Sequence, residues 1–221
     1  MLVKPGILLL DKPQGLTSHD VVNVVRRKLN TRRIGHAGTL DPLATGLLIV
    51  LVSGATKLFN RFANFDKEYL ATLKLGQATD SGDSQGKITK CAPFDAVTRE
   101  QVENVLKGIE GKFENIPPMV SAIRHQGKRL YQLARKGLVV ERKARIVDVY
   151  KLELLDFSLP QIRFLLKCSK GTYVRTLAEE IALRLNCVGH IIEIRRLAIG
   201  DYRVKEAKQL DDFNENDIRP C

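Results

Sequence analysis

Apolar residues recur along this chain in two periods that separate strands from helices. Ile7 to Leu10 form an unbroken apolar run of strand length, ended by Asp11-Lys12-Pro13 and Gly15. Thr17 or Ser18 can cap a helix in which Val21, Val22, Val25 and Leu29 recur at helical spacing. The outer face of that helix carries Arg26, Arg27 and Lys28. A glycine-rich loop from Gly35 to Gly46 leads to a second apolar run, Leu47 to Val52, and Tyr69 to Leu75 reads as another strand. The polar stretch Gly76 to Asp83 is rich in turn formers and reads as a loop.

Thr98 and Gln101 make a capping box for a helix that reaches Leu106 and stops at Gly108. Ile116-Pro117-Pro118 is a break, and Lys128 to Lys136 reads as a short helix closed by Gly137. Strands are expected over Val147–Leu155 and Ile162–Cys168, the latter with Ile162, Phe164, Leu166 and Cys168 on one side. Gly171 turns the chain into a helix with Val174, Leu177, Ile181 and Leu185 on one face, and His190 to Leu197 is a final strand. From Asp211 onward the chain turns acidic and is expected to fray. Hairpin-like strand pairs with intervening helices predict an α+β fold whose central sheet is mixed and mostly antiparallel, flanked by helices. The predicted organisation is one domain over residues 1–210 and a tail over 211–221.

Composition adds one strong signal. The 221 residues are 44% hydrophobic, which is ordinary, but 36 Lys and Arg face 25 Asp and Glu, a formal charge of +11. Such a surplus points to a polyanionic partner, nucleic acid before anionic membrane. No apolar run approaches the roughly 20 residues of a spanning helix, and the first strand starts too early to leave room for a signal peptide. Membrane association is therefore not expected. Cys91, Cys168, Cys187 and Cys221 are scattered without a CxxC pair, which suits reduced thiols in a cytoplasmic protein. The Gly-Lys pairs precede Ile88, Phe113 and Arg129, so no phosphate-binding P-loop is present. The four histidines (His19, His36, His125 and His190) have no zinc-ligand spacing, and there is no GxSxG elbow. Chemistry, if any, falls to side chains alone.

The most informative stretch is Gly35-His36-Ala37-Gly38-Thr39-Leu40-Asp41-Pro42-Leu43-Ala44-Thr45-Gly46. Pro42 holds Asp41 extended, and Leu40 and Leu43 flank it with apolar surface. From its setting alone, Asp41 reads as a helix or turn cap, as most loop aspartates are, rather than as a nucleophile. The longer segments decide. GILLLDKPQGLTSHD followed by GHAGTLDPLATGLL resembles the TruB-type tRNA pseudouridine-55 synthases. The likeness continues through Asp66-Lys67-Glu68-Tyr69, the loop Gly76 to Asp83, IPPMVSAIRHQGKRLYQLARKG, CSKGTYVRTLAEEI and HIIEIRRLAIGDY, and spans residues 6 to 210 in the family's order.

The resemblance implies the pseudouridine synthase fold, with its catalytic cleft across the sheet, and cofactor-free isomerisation of uridine 55 in the T-loop of tRNA. Asp41 matches the nucleophile, which attacks the sugar or the base. Arg175, in GTYVR, matches the arginine that keeps it ionised against the effect of burial. Tyr69 matches the tyrosine that stacks on the target base and is a candidate for removing the C5 proton. Ile194 stands where a leucine usually lines the uracil pocket, a volume-conserving change. Asp83 matches an aspartate that orients the arginine. The base must be flipped out of its stack, and His36 matches the histidine that fills the vacated space. Lys12 and the arginines at 26, 27, 32 and 33 are candidate phosphate contacts.

The cation-rich segment with Arg124, Lys128, Arg129, Arg135, Lys136, Arg142, Lys143 and Arg145 corresponds to a thumb, about residues 116–145, that closes on the RNA. The family pattern is broken in three places: Ala37 replaces a threonine, Val120 a tyrosine, and the C-terminal PUA domain of many members has no counterpart after Leu210. A monomer that recognises the T-arm, with no metal, is the expectation. Three other readings compete: a non-catalytic RNA-binding module or folding chaperone, a related synthase acting on another RNA, and a basic DNA-binding domain. The last has no helix-turn-helix pattern to support it.

Overall fold

A computed structural model describes residues 3–121, 123–125, 127–134 and 136–221. In chain order its first elements are β1 (Gly6–Lys12), α1 (Ser18–Lys28), β2 (Ile34–His36), β3 (Thr45–Val52), α2 (Phe59–Ala63), β4 (Lys67–Leu75), β5 (Gln77–Thr79), β6 (Ile88–Cys91), α3 (Arg99–Lys107) and β7 (Gly111–Asn115). There follow β8 (Arg124–His125), β9 (Lys128–Arg129), α4 (Leu130–Ala134), β10 (Arg145–Ser158), β11 (Gln161–Cys168), α5 (Val174–Arg184), β12 (Gly189–Ile199), β13 (Tyr202–Arg203) and β14 (Lys208–Gln209). The fold is α+β, with a mixed, mostly antiparallel sheet, as the residue pattern predicts. The chain divides into two compact units, one of residues 1–69 and 194–221, the other of residues 70–193.

In the first unit the strand order is β14-β1-β3-β12, with β2 also on β3 and β13 on β12. β1 runs antiparallel to β3, from Gly6 opposite Val52 to Lys12 opposite Gly46, while β14 lies parallel to β1 and β12 parallel to β3. The unbroken apolar runs of β1 and β3 have a simple cause: both sheet faces are covered. Leu8, Leu10, Leu48, Val50 and Val52 pack with Val21, Val22 and Val25 of α1. Ile7, Leu9, Leu47, Ile49 and Leu51 pack with Phe62 of α2 and Ile199. Of the two candidate caps of α1, Thr17 accepts from the Asp20 N–H at 3.1 Å and Asp20 reciprocates. The C-terminal stretch does not fray. Leu210 and Phe213 are buried in the core against α1, Phe213 lies under the Lys28 ammonium, and Arg219 exchanges backbone hydrogen bonds with Ile7. Acidic composition is outweighed by these two apolar anchors.

In the second unit the order is β12-β4-β11-β10-β7. Residues 76–83 are not all loop, because Gln77–Thr79 pairs with Ile88–Cys91 as a hairpin. Its turn is tied to β12 by the Ser84 N–H to the Ile191 carbonyl (2.9 Å) and the Ile191 N–H to that of Gly82 (3.0 Å). The predicted capping box of Thr98 and Gln101 opens α3, and the helix expected over Lys128 to Lys136 is confined to Leu130–Ala134. No helix among the described residues is long and apolar enough to cross a membrane.

Candidate active site

The first unit gathers Lys12, His36, Asp41, Tyr69 and Ile194. The loop after β2 is held from several sides. The buried Ser18 hydroxyl accepts from the Leu40 N–H at 2.8 Å and donates to the Leu40 carbonyl at 3.2 Å. The Gly15 N–H donates to the Pro42 carbonyl at 2.8 Å, and the Ala44 N–H returns to the Asp41 carbonyl at 3.1 Å. Leu40 and Leu43 are buried, whereas Asp41 between them remains partly exposed. The carboxylate therefore stands on a loop whose flanks are fixed by packing and hydrogen bonds, the arrangement a reactive group requires.

Gly46 closes this loop for a steric reason. With φ at +100°, it lies against the backbone of Arg196, where an added Cβ would come within 2.3 Å of the carbonyl oxygen. The pairing of β12 with β3 at Arg196 and Gly46 depends on that approach. The Arg196 side chain, 1% exposed, donates from Nε to the Leu47 carbonyl at 2.7 Å, from Nη2 to Gly38 at 3.1 Å and from Nη1 to Thr39 at 3.4 Å. Its side chain is also hydrogen-bonded to that of Tyr69, a buried residue of β4, and burial lowers its pKa. Reading by motif overlooked Arg196. Strand alternation offered a signal, because Ile194, Arg196 and Ala198 fall on the same, buried side of β12.

Lys12 is fully buried, with Nζ donating to the carbonyls of Leu16 at 2.7 Å and Pro13 at 2.9 Å. Burial lowers its pKa to about 8, against the opposing pull of Asp41; the Arg196 charge lowers it further. Just before it, Asp11 receives both Nη atoms of Arg195 at 2.6 and 3.0 Å. Ile194 is buried, and its carbonyl accepts from the Thr45 hydroxyl at 3.4 Å. His36 ends β2 opposite Val50, partly exposed, next to the buried Ala37. Arg27, Arg32 and Arg33 are exposed, whereas Arg26 is partly buried, donating to the Ile34 carbonyl at 3.0 Å.

The second unit brings Arg175 and Asp83 together. Arg175, in the first turn of α5, is buried and donates to the Ser81 carbonyl at 2.6 Å and the Val120 carbonyl at 2.8 Å, with Asp83 at 3.8 Å. Tyr173, the residue before α5, is clamped by the Asn115 amide, which accepts from its N–H at 2.9 Å and donates to its carbonyl at 3.3 Å. Asp83 is itself held by the Ser81 hydroxyl (2.7 Å) and the Gln85 N–H (3.0 Å). Glu179, one turn along α5, has its pKa raised by burial, opposed by the charges of Arg175 and Arg142. Of the cations assigned to the thumb, Lys128, Lys136, Lys143 and Arg145 are exposed, Arg142 donates to the Pro117 carbonyl at 3.2 Å, and Arg135 lies outside the described residues.

A model of the TruB family pseudouridylate synthase N-terminal domain matches residues 26–174. The chain is 47% identical over 206 residues to a tRNA pseudouridine synthase B of Opitutus terrae, covering 93% of this chain and 86% of that protein. It is 45% identical over 211 residues to a tRNA pseudouridine synthase B of Hydrogenovibrio crunogenus, covering 96% and 70%. Among solved structures, a Cbf5-Nop10-Gar1 complex matches with a TM-score of 0.75 and 27% identity. An H/ACA RNP bound to a substrate RNA containing 2′-deoxyuridine matches with a TM-score of 0.70 and 27% identity. The alignments cover 100% and 94% of this chain, and 61% and 51% of the matched chains.

Proposed function

The chain belongs to the TruB family of pseudouridylate synthases, which are isomerases, and on that premise we propose that it converts uridine 55 in the T-loop of tRNA to pseudouridine, with Asp41 as nucleophile. The observation that carries this reading is the placement of Asp41: a partly exposed carboxylate between buried residues, on a loop pinned by Ser18 and Arg196. The reaction needs no net exchange of atoms. The bond from C1′ to N1 breaks, a bond from C1′ to C5 forms, the C5 proton leaves and N1 gains one. A carboxylate that adds to the sugar or the base and then departs supplies the covalent step without a cofactor.

In this scheme Tyr69 stacks on the flipped base, Ile194 lines the space in which uracil turns, and His36 fills the gap left in the RNA stack. Arg175, oriented by Asp83, supplies the cation that keeps Asp41 ionised. Lys12 is buried on two carbonyls, which suits an electrostatic contribution to the Asp41 loop better than a direct phosphate contact. The exposed cations at positions 27, 32 and 33 and along the thumb meet the T-arm backbone. The protein acts as a monomer in the cytoplasm. No second reading has an observation of its own.

The test is to incubate the pure protein with an unmodified tRNA transcript and map pseudouridine by position. A single new pseudouridine at position 55, lost in Asp41→Asn while RNA binding persists, is the expected result. Modification at other positions only would refute the site, and full activity in Asp41→Asn would refute the nucleophile. A chaperone would improve tRNA folding equally well with Asn at position 41.

A further inference from the structure

Arg196 is a buried cation held by three backbone carbonyls and a phenol side chain. Its planar fork presents several N–H donors in fixed directions, and it bonds to four partners: the carbonyls of Gly38, Thr39 and Leu47 and the side chain of Tyr69. Two of those carbonyls precede Asp41 in the loop and the third follows it, so one rigid group fixes both arms of the loop and the phenol besides. The Arg196 backbone closes on Gly46 from the other side. Filling the volume alone would call for leucine or methionine, which avoid the cost of burying a charge. Lysine, with one ammonium on a flexible stem, cannot span the four acceptors.

We infer that Arg196 is a positioning residue for the isomerisation, locking the loop that carries Asp41 and the side chain of Tyr69 into one register. The inference rests on the reading that Asp41 and Tyr69 are the catalytic groups. It implies that a change at position 196 acts on the reacting geometry, since the Arg196 side chain is buried against the carbonyls of the loop.

Wild type, Arg196→Lys, Tyr69→Phe and the double variant are compared for single-turnover conversion of a T-arm RNA, for the Kd of that RNA and for melting temperature. Arg196→Lys is expected to melt cooperatively and bind RNA as wild type does, yet convert it about 100-fold more slowly. The double variant is expected to be much less slow than the product of the two single effects, because both residues act through one bonded unit. Wild-type conversion by a folded Arg196→Lys, a loss confined to Kd, or single effects that simply multiply would each overturn the inference. Arg196→Met repeats the cycle should the lysine variant fail to fold. Asp41→Asn is run alongside: if it still turns over, the nucleophile assignment fails, whereas the Arg196–Tyr69 coupling is read separately from the cycle.

Discussion

Ser18 and Leu40 exchange two hydrogen bonds, the serine hydroxyl accepting from the leucine N–H at 2.8 Å and donating to its carbonyl at 3.2 Å. The first turn of α1 thereby holds the residue directly before Asp41. Both groups are buried, so removing the hydroxyl leaves two backbone groups without that partner and without water. Ser18→Ala is expected to cost about 1–3 kcal/mol of stability, measured by urea unfolding. Turnover should fall at temperatures where the variant is fully folded, with RNA affinity unchanged. Unaltered turnover in the folded variant would show that the loop keeps its shape without this anchor.

Lys12 gives the site a pH dependence. Its pKa falls from 10.5 to about 8 on folding, chiefly through burial. Below about pH 8 the ammonium is charged in both folded and unfolded chains. Between about pH 8 and 10.5 the unfolded chain binds the proton more tightly, so this group's contribution to stability rises with pH in that window. Relative to Lys12→Met, wild type should therefore gain melting temperature from about pH 8 to about pH 10. Turnover should move the opposite way, falling above about pH 8 as the positive charge beside Asp41 is lost. In Lys12→Met that limb of the pH–rate profile should be absent. A variant that kept the limb would assign it to another group.

How much of this was legible follows from what each residue does locally. The strand at Ile7–Leu10, the helix over Val21–Val25 and the capping box at Thr98 were readable because period, cap and breaker all act within a few residues. The placement of Asp41 between buried leucines was also visible, since Pro42 and the glycines are neighbours in sequence. Ser18 was not, because as a helix-start serine it resembles a cap, and its actual partner Leu40 lies 22 positions away. Arg196 was hidden for a similar reason. In the pair Arg195-Arg196 one side chain meets Asp11 at the edge and the other is entirely buried, a difference of strand face that charge counting cannot see. The hairpin of β5 and β6 was lost among turn formers, as three-residue strands carry almost no periodicity.

Phe213 makes the case against a frayed end quantitative. Its ring is fully buried in the cluster formed by α1, β1 and β3, with the Lys28 ammonium 4.5 Å from the centroid. Phe213→Ala is expected to destabilise the protein by about 3–5 kcal/mol through lost burial and the cavity left behind. An exposed, frayed phenylalanine would cost close to nothing. Urea unfolding separates the two outcomes, and increased protease cleavage around residues 204–219 should accompany the loss.

Gly82 links backbone geometry to Arg175. Its φ is +72°, and an added Cβ would lie 2.8 Å from the Glu179 carboxylate and 3.4 Å from the Arg175 Cβ. The same turn supplies the Ser81 carbonyl and Asp83 that orient the guanidinium. Gly82→Ala should therefore pay the left-handed backbone penalty, about 1–2 kcal/mol, and also displace the partners of Arg175. Gly111→Ala is the control, since its φ of +100° carries the same penalty with nothing within 4 Å of the new methyl. If Arg175 sustains the reactive carboxylate, both variants lose stability but only Gly82→Ala loses turnover beyond what its folded fraction explains. Equal turnover per folded molecule in the two variants would remove Arg175 from the chemistry.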